Sequence, residues 1–224
     1  AEWPDGWHDW LPAQIENVPP GCTKTYGMIG EGRTTGVFQI ESRAQMSILP
    51  KLKPRNFYDL VIQVGIVRPG PIVSGVVKSY LRRRLGEEEP YFPDEKLRPI
   101  LERTLGVPIF QEQVMRIAIA VGNFTPGEAD ELRRSMGAWK LNGNIKQFEE
   151  KLRAGMLSNG IDGEFADIIY RQVEGFAEYG FPESHATFFA YLVYISCYLK
   201  FHFPAYFLCG LINSQPLGFY SVHT

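Results

Sequence analysis

A chain of 224 residues with 45% apolar and 21% charged side chains is long enough to bury a sizeable core in one large or two small domains. Its 23 Lys and Arg against 25 Asp and Glu leave a formal charge of −2, which excludes the strongly basic balance of small nucleic-acid-binding domains. Any nucleic-acid contact must come from a local patch. Three cysteines (Cys22, Cys197 and Cys209) lack metal-type spacing. The two that sit in apolar sequence read as reduced core thiols of a cytoplasmic protein. The chain opens at Ala1 without a secretory leader or lipidation motif, and is expected to be a piece of something longer.

Residues 1–35, rich in Trp, Pro and Gly ("WPDGWHDWLP", "ENVPPGC", "GMIGEGRTTG"), read as connecting loops with one helical turn. "IESRAQMSILPKL" is a short amphipathic run expected to stop at Pro50, and "RNFYDLVIQVGIV" one that stops at the turn "RPGP". "IVSGVVKSYLRRRLG" and "PDEKLRPILERTLG" end on Gly86 and Gly106, stops of the C-cap kind. "FQEQVMRIAIAVG" puts Phe110, Val114, Ile117 and Val121 at helical spacing. "TPGEADELRRSMG" opens with Thr125, a proline at the first helical position and Glu128, a capping box. "NIKQFEEKLRAGMLSNG" ends on Asn159-Gly160, and the next helix places Phe165, Ile168, Ile169, Val173 and Phe176 on one face. Only "GVFQI" and "VPIF" could be short extended pieces, so the expected fold is mainly α, with many helices and short connections.

The segment 186–212 raises the question of a membrane span, which needs about 20 continuous apolar residues. Lys200, His202 and Pro204 interrupt it. A buried helix, a break near Pro204 and a second helix fit better. Catalytic signatures are missing: there is no phosphate-binding loop, no nucleophile elbow and no metal-spaced Cys/His set. Adjacent acids such as Asp130–Glu131 point roughly 100° apart on a helix and read as solvated faces.

What remains are polar elbows in apolar surroundings. Arg133 and Arg134 lie late in a helix, where the macrodipole favours them; equally, two guanidinium forks suit an anion. "FQIESR" and "FQEQ" stand at helix starts, where Ser42 or Glu41 serves as a cap. Lys78, Arg82, Arg83 and Arg84 form either a solvated face or a grip on a nucleic-acid backbone. "EYGFPESHATFFAY" sets Glu183, Ser184 and His185 at the mouth of an apolar helix, with Ser184 as a candidate N-cap.

"GVFQIESRAQM", "RPGPI", "FQEQVMRIA", "ADELRRSMG", "EYGFPESHATFFAY" and "INSQPLGFY" occur here in one order, and that order resembles the alpha subunit of bacterial DNA polymerase III, the DnaE type of family C polymerases. The wording of "VFQIESRAQM", "YGFPESHA" and "NSQPLGFY" is similar to the error-prone, damage-linked branch, also called ImuC. The resemblance runs from about residue 25 to the end. It implies a connecting segment over 1–35 that follows the palm, and a polymerase fingers domain over 36–224. It implies DNA-directed DNA polymerase activity in the whole protein, adding deoxynucleotides to a primer 3′ end. The Mg²⁺-binding palm aspartates would lie outside this chain, so the chain alone is expected to be inactive and to hold no catalytic or metal-ligating residue. Implied partners are the template–primer and the incoming dNTP. A sliding clamp and other replication or mutasome subunits would be met through regions outside the chain.

By the same resemblance, Arg133 and Arg134 match an arginine pair that reaches the triphosphate of the incoming nucleotide. Tyr179, Ser184 and His185 match the segment lining the nucleotide pocket, where the histidine would exclude a 2′-hydroxyl by bulk. The apolar helix behind them, Phe188 to Leu199, would be a buried rod holding the elbow still. Arg68, Lys78, Arg82, Arg83 and Arg84 are the DNA-binding candidates. Two departures from the replicative pattern stand out: "MGAWKLNG" keeps only Lys140 of a lysine run, and Phe-Pro-Glu stands where Phe-Asn-Lys precedes the serine–histidine pair. Both agree with the error-prone branch. The alternatives are a non-catalytic nucleic-acid-binding helical domain and a scaffold whose elbows are ordinary caps.

Overall fold

The computed structural model describes residues 18–67, 75–137, 145–170 and 181–214. In chain order the helices are α1 (Thr23–Gly30), α2 (Arg43–Leu52), α3 (Phe57–Ile66), α4 (Val76–Arg84), α5 (Arg98–Leu101, flanked by 3₁₀ turns Glu95–Leu97 and Glu102–Thr104), α6 (Gln111–Val121), α7 (Pro126–Gly137), α8 (Ile145–Ser158), α9 (163–170), α10 (Glu183–His202) and α11 (Pro204–Asn213). The described residues hold no strand: "GVFQI" forms turns and "VPIF" is irregular. The fold is mainly α. No helix among the described residues is long and apolar enough to cross a membrane.

Two compact units divide the chain: residues 1–61 with 187–224, and residues 62–186. In the first, α1 corrects the expectation of a loop. Burial of Thr25, Tyr26, Met28 and Ile29 along one side holds a helix that contains two unfavourable glycines, Gly27 and Gly30. Pro50 does not stop α2, which runs on to Leu52. In the last turn a proline forfeits only its own bond, and Lys53, left-handed at φ 46, closes the helix with its N–H on the Leu49 carbonyl at 2.8 Å. Ser42 caps the other end by accepting from the Gln45 N–H at 3.2 Å, worth about 1 kcal/mol.

The break near Pro204 is present, with α10 ending at His202 and α11 opening on the proline. The rod is not buried all round. Ala190, Val193, Tyr194 and Cys197 turn inward, while Phe188, Tyr191 and Leu192 are exposed. α11 buries no residue, and its Cys209, expected in the core, is exposed. An apolar run by itself cannot tell one buried face from two.

In the second unit, Val114, Ile117, Ala118 and Val121 of α6 meet Leu132, Leu152, Met156 and Phe165 of α7, α8 and α9. Phe110, Val114, Ile117 and Val121 are all buried, as their spacing predicts. Each fully buried side chain of this kind contributes about 1.5–3 kcal/mol. Ile168 departs from its expected face and is exposed, whereas Phe165 and Ile169 are buried; Val173 and Phe176 lie outside the described residues. α6 and α8 cross at two glycines. A Cβ on Gly155 would stand 2.1 Å from the Gly122 carbonyl oxygen, so the backbones touch with no side chain between them. Asn159 stitches the crossing, with Nδ2 reaching the Val121 carbonyl at 3.1 Å and Asn123 Oδ1 at 3.0 Å.

Candidate nucleotide and nucleic-acid interface

The predicted capping box forms at the start of α7. The Thr125 N–H donates to Glu128 Oε2 at 2.8 Å, and the Glu128 N–H donates to Thr125 Oγ1 at 3.4 Å. Lys151 of α8 also bonds Glu128, and this bond, followed by those from Thr125, brings its carboxyl pKa down to about 2. Ala129 and Leu132 anchor α7 in the core, which leaves its outer faces for charge. There Arg133 donates from Nε and Nη2 to Asp130 Oδ1 at 3.0 and 2.8 Å, and Arg134 Nη2 lies 2.7 Å from Asp130 Oδ2. One carboxylate therefore holds two guanidinium groups side by side, and the trio carries a net positive charge. The hydrogen bond from Arg133 is the main reason the Asp130 carboxyl lies below its ordinary range. Asp130 is thus more than a solvated acid: it orders the pair. Spacing alone allows this, since Asp130 stands three and four residues before them.

The elbow at residues 181–185 is built from two chain segments far apart in sequence. The Gln111 N–H donates to the Phe181 carbonyl at 3.1 Å, and the Glu183 N–H donates to Glu112 Oε2 at 2.9 Å. Glu112, not Ser184, satisfies this first donor of α10; Ser184 lies inside the first turn. That releases Ser184 from the expected capping role, and both it and His185 are exposed. The His185 ring meets Phe181 edge-on at 4.9 Å. Arg103 approaches Glu183 at 3.9 Å.

Gln113 is fully spent on structure. Its Oε1 accepts from the Ile109 and Phe110 N–H groups at 2.7 and 3.0 Å, and its Nε2 donates to the Ile100 carbonyl and Thr104 Oγ1 at 3.0 and 2.8 Å. These bonds lock the 95–110 stretch onto α6, whose first residues carry the elbow.

On α4, Lys78 and Arg82 are exposed, while Arg83 is drawn inward. Arg83 donates from Nε to Glu88 at 2.9 Å and from Nη1 to the Leu105 carbonyl at 2.8 Å, tying α4 to the turn before Gly106. Arg82 shares Glu88 at 3.7 Å. Arg84 is half-buried. Arg68, Tyr179 and Lys140 lie outside the described residues. Three carboxylates thus organise the three places: Asp130 the arginine pair, Glu112 the elbow, Glu88 the α4 arginines.

The model of the bacterial DNA polymerase III alpha subunit finger domain matches residues 8–160. The chain belongs to this family. This chain is 60% identical over 207 residues to an error-prone DNA polymerase of Pseudomonas fluorescens strain Pf-5, covering 92% of this chain and 20% of the relative. To the error-prone DNA polymerase of Burkholderia mallei it is 57% identical over 222 residues, 97% of this chain and 20% of that protein. For that of Rhodopirellula baltica the figures are 56% over 207 residues, 92% and 18%. The chain thus spans about a fifth of the length of these curated relatives. Among the described residues no three His, Cys, Asp or Glu side chains come together, and Asp130, Glu128, Glu88 and Glu112 are engaged by cations or backbone N–H groups.

Proposed function

We propose that this chain serves a DNA-directed DNA polymerase of the error-prone, translesion type, acting in the cytoplasm and extending a primer 3′ end. In this reading Arg133 and Arg134 hold the triphosphate of the incoming dNTP, while Ser184, His185 and Tyr179 line the pocket for its sugar and base. Lys78, Arg82 and Arg84, with Arg68, lie along the template–primer backbone, and Arg83 steadies them from within. Metal chemistry belongs to palm residues outside this chain, as do contacts with a sliding clamp or other subunits.

The observation that carries the reading is the shared carboxylate of Asp130. Two guanidinium groups held in place before a ligand arrives lose little side-chain entropy on gripping phosphate oxygens. They also present fixed positive charge where pyrophosphate departs. Arg134→Ala in the full-length protein is expected to lower kcat/KM for dNTP about 10- to 100-fold, the equivalent of about 1.5–3 kcal/mol for a charge-assisted bond. Single-nucleotide extension with titrated dNTP measures it. Kinetics equal to the parent enzyme would remove the pair from the triphosphate.

His185 sits edge-on against Phe181 on an elbow fixed by Glu112, so its bulk has a defined place. His185→Ala is expected to raise ribonucleotide incorporation relative to deoxynucleotide by about 10-fold, the scale on which pocket shape alone separates two similar substrates. An unaltered ratio would reject the sugar-gate role.

A further inference from the structure

The first unit contains a thiol set apart from the other two cysteines. Cys22 is the N-cap residue of α1 and is half-buried, and its side chain makes no capping bond. Its Sγ lies 3.4 Å from Nε2 of His202, in the last turn of α10. The place is rigid. The Cys22 N–H donates to the Tyr194 hydroxyl at 3.0 Å, and that hydroxyl donates to the Pro19 carbonyl at 2.6 Å. The His202 ring is packed on Tyr198 at 4.2 Å and meets Phe201 edge-on at 4.9 Å, which fixes its direction.

Thr25 supplies a second, independent sign. Its residue is fully buried, and among the described residues its hydroxyl finds no hydrogen-bond partner of good geometry. It stands beside the Cys22 sulfur. Burial raises the thiol pKa, but the Thr25 side chain and N–H, His202 and the Lys24 N–H together outweigh it and bring the value down to about 7. The contrast is internal: burial pushes Cys197 up to about 12, and Cys209 lies open on α11.

We propose that Cys22, paired with His202 and faced by the Thr25 hydroxyl, is a modification site: a nucleophilic thiol oxidised by hydroperoxides. The sulfur lone pair attacks the distal peroxide oxygen, so an S–O bond forms as the O–O bond breaks. Sulfur is oxidised by two electrons and the peroxide is reduced. The proton shared between Sγ and His202 Nε2 passes to the departing oxygen, leaving a sulfenic acid and an alcohol or water. Thr25 then has an acceptor for its unused proton, the new sulfur-bound oxygen.

The test is competitive labelling of the full-length protein at pH 7 with substoichiometric iodoacetamide, read site by site by mass spectrometry, with N-acetylcysteine as reference. Cys22 is expected to react about 3- to 10-fold faster than the reference, since its larger thiolate fraction outweighs its lower intrinsic nucleophilicity. His202→Gln is expected to slow it toward the reference rate, with folding checked by circular dichroism. Hydrogen peroxide followed by dimedone should tag Cys22 in the parent protein and tag it less in Thr25→Ala. A Cys22 rate at or below the reference, or one indifferent to His202→Gln, overturns the proposal. If the variants do not fold, the parent ratio of Cys22 to reference decides alone.

Discussion

Gly155→Ala is expected to destabilise the second unit by about 3 kcal/mol or more, although alanine is the better helix former. In an open helix interior the same change would stabilise by about 0.8–1 kcal/mol. The opposite sign follows from the crossing of α6 and α8, where a Cβ on Gly155 would lie 2.1 Å from the Gly122 oxygen and 2.4 Å from its carbonyl carbon. Those are backbone atoms at a helix end, already pinned by Asn159, and cannot step aside as a flexible side chain would. Overpacking costs typically about 1–3 kcal/mol and more where backbone must move. Hydrogen–deuterium exchange of the full-length protein should show faster exchange across 111–121 and 145–158. Unchanged or slower exchange there would mean that the two backbones are not in contact.

Gln113→Ala is expected to be nearly as damaging, by about 3–5 kcal/mol. The residue is 4% exposed, and its removal strands two backbone donors, the Ile109 and Phe110 N–H groups, and takes a donor from two acceptors, the Ile100 carbonyl and the Thr104 hydroxyl, the latter keeping its own bond to the Leu101 carbonyl. A buried polar group left unpaired costs about 1–3 kcal/mol, and the four share one cavity, so their costs do not simply add. Gln113→Glu does not rescue, because a carboxylate keeps the acceptor but loses both donors and faces the Ile100 carbonyl. Amide exchange at Ile109 and Phe110 reads the effect directly. Because Gln111 and Glu112 of the same helix start hold the 181–185 elbow, a rise in apparent KM for dNTP should accompany it. Loss of stability with unchanged KM would separate the elbow from nucleotide binding.

The parts of the fold legible in the sequence are those whose partners are close along the chain. Thr125 and Glu128 are three residues apart, and their box forms as the pattern predicts. Ser42 caps α2 across a similar interval. The arginine pair and its carboxylate share one helical turn, so the trio is within reach of a spacing argument, even though an acid beside another acid reads first as a solvated face. Glu112 and Glu183 cannot be joined in that way, because 71 positions separate them. A serine at a helix mouth is usually the cap; here a carboxylate from another helix takes the place of Ser184.

α1 shows the same limit from the other side. Two glycines in eight residues argue against a helix locally, and burial of Tyr26, Met28 and Ile29 overrides them. Pro50 is a stop signal whose cost depends on position, and in a last turn that cost is one hydrogen bond. The apolar run of α10 is unmistakable as a helix, yet the exposure of Phe188, Tyr191 and Leu192 depends on which neighbours it meets.

The helical class, the capping box of α7, the core stripe of α6 and the ordered motifs of the polymerase fingers family can all be read from residue order alone. These depend on backbone propensity and on spacings within one or two turns. Packing in three dimensions was needed to show that Glu112 caps α10, that Gln113 is spent on the core, that Gly122 and Gly155 carry a helix crossing, and that Cys22 faces His202. Most of those contacts join residues tens of positions apart or, for Cys22 and His202, 180 apart, and such pairs are chosen by how the core packs as a whole.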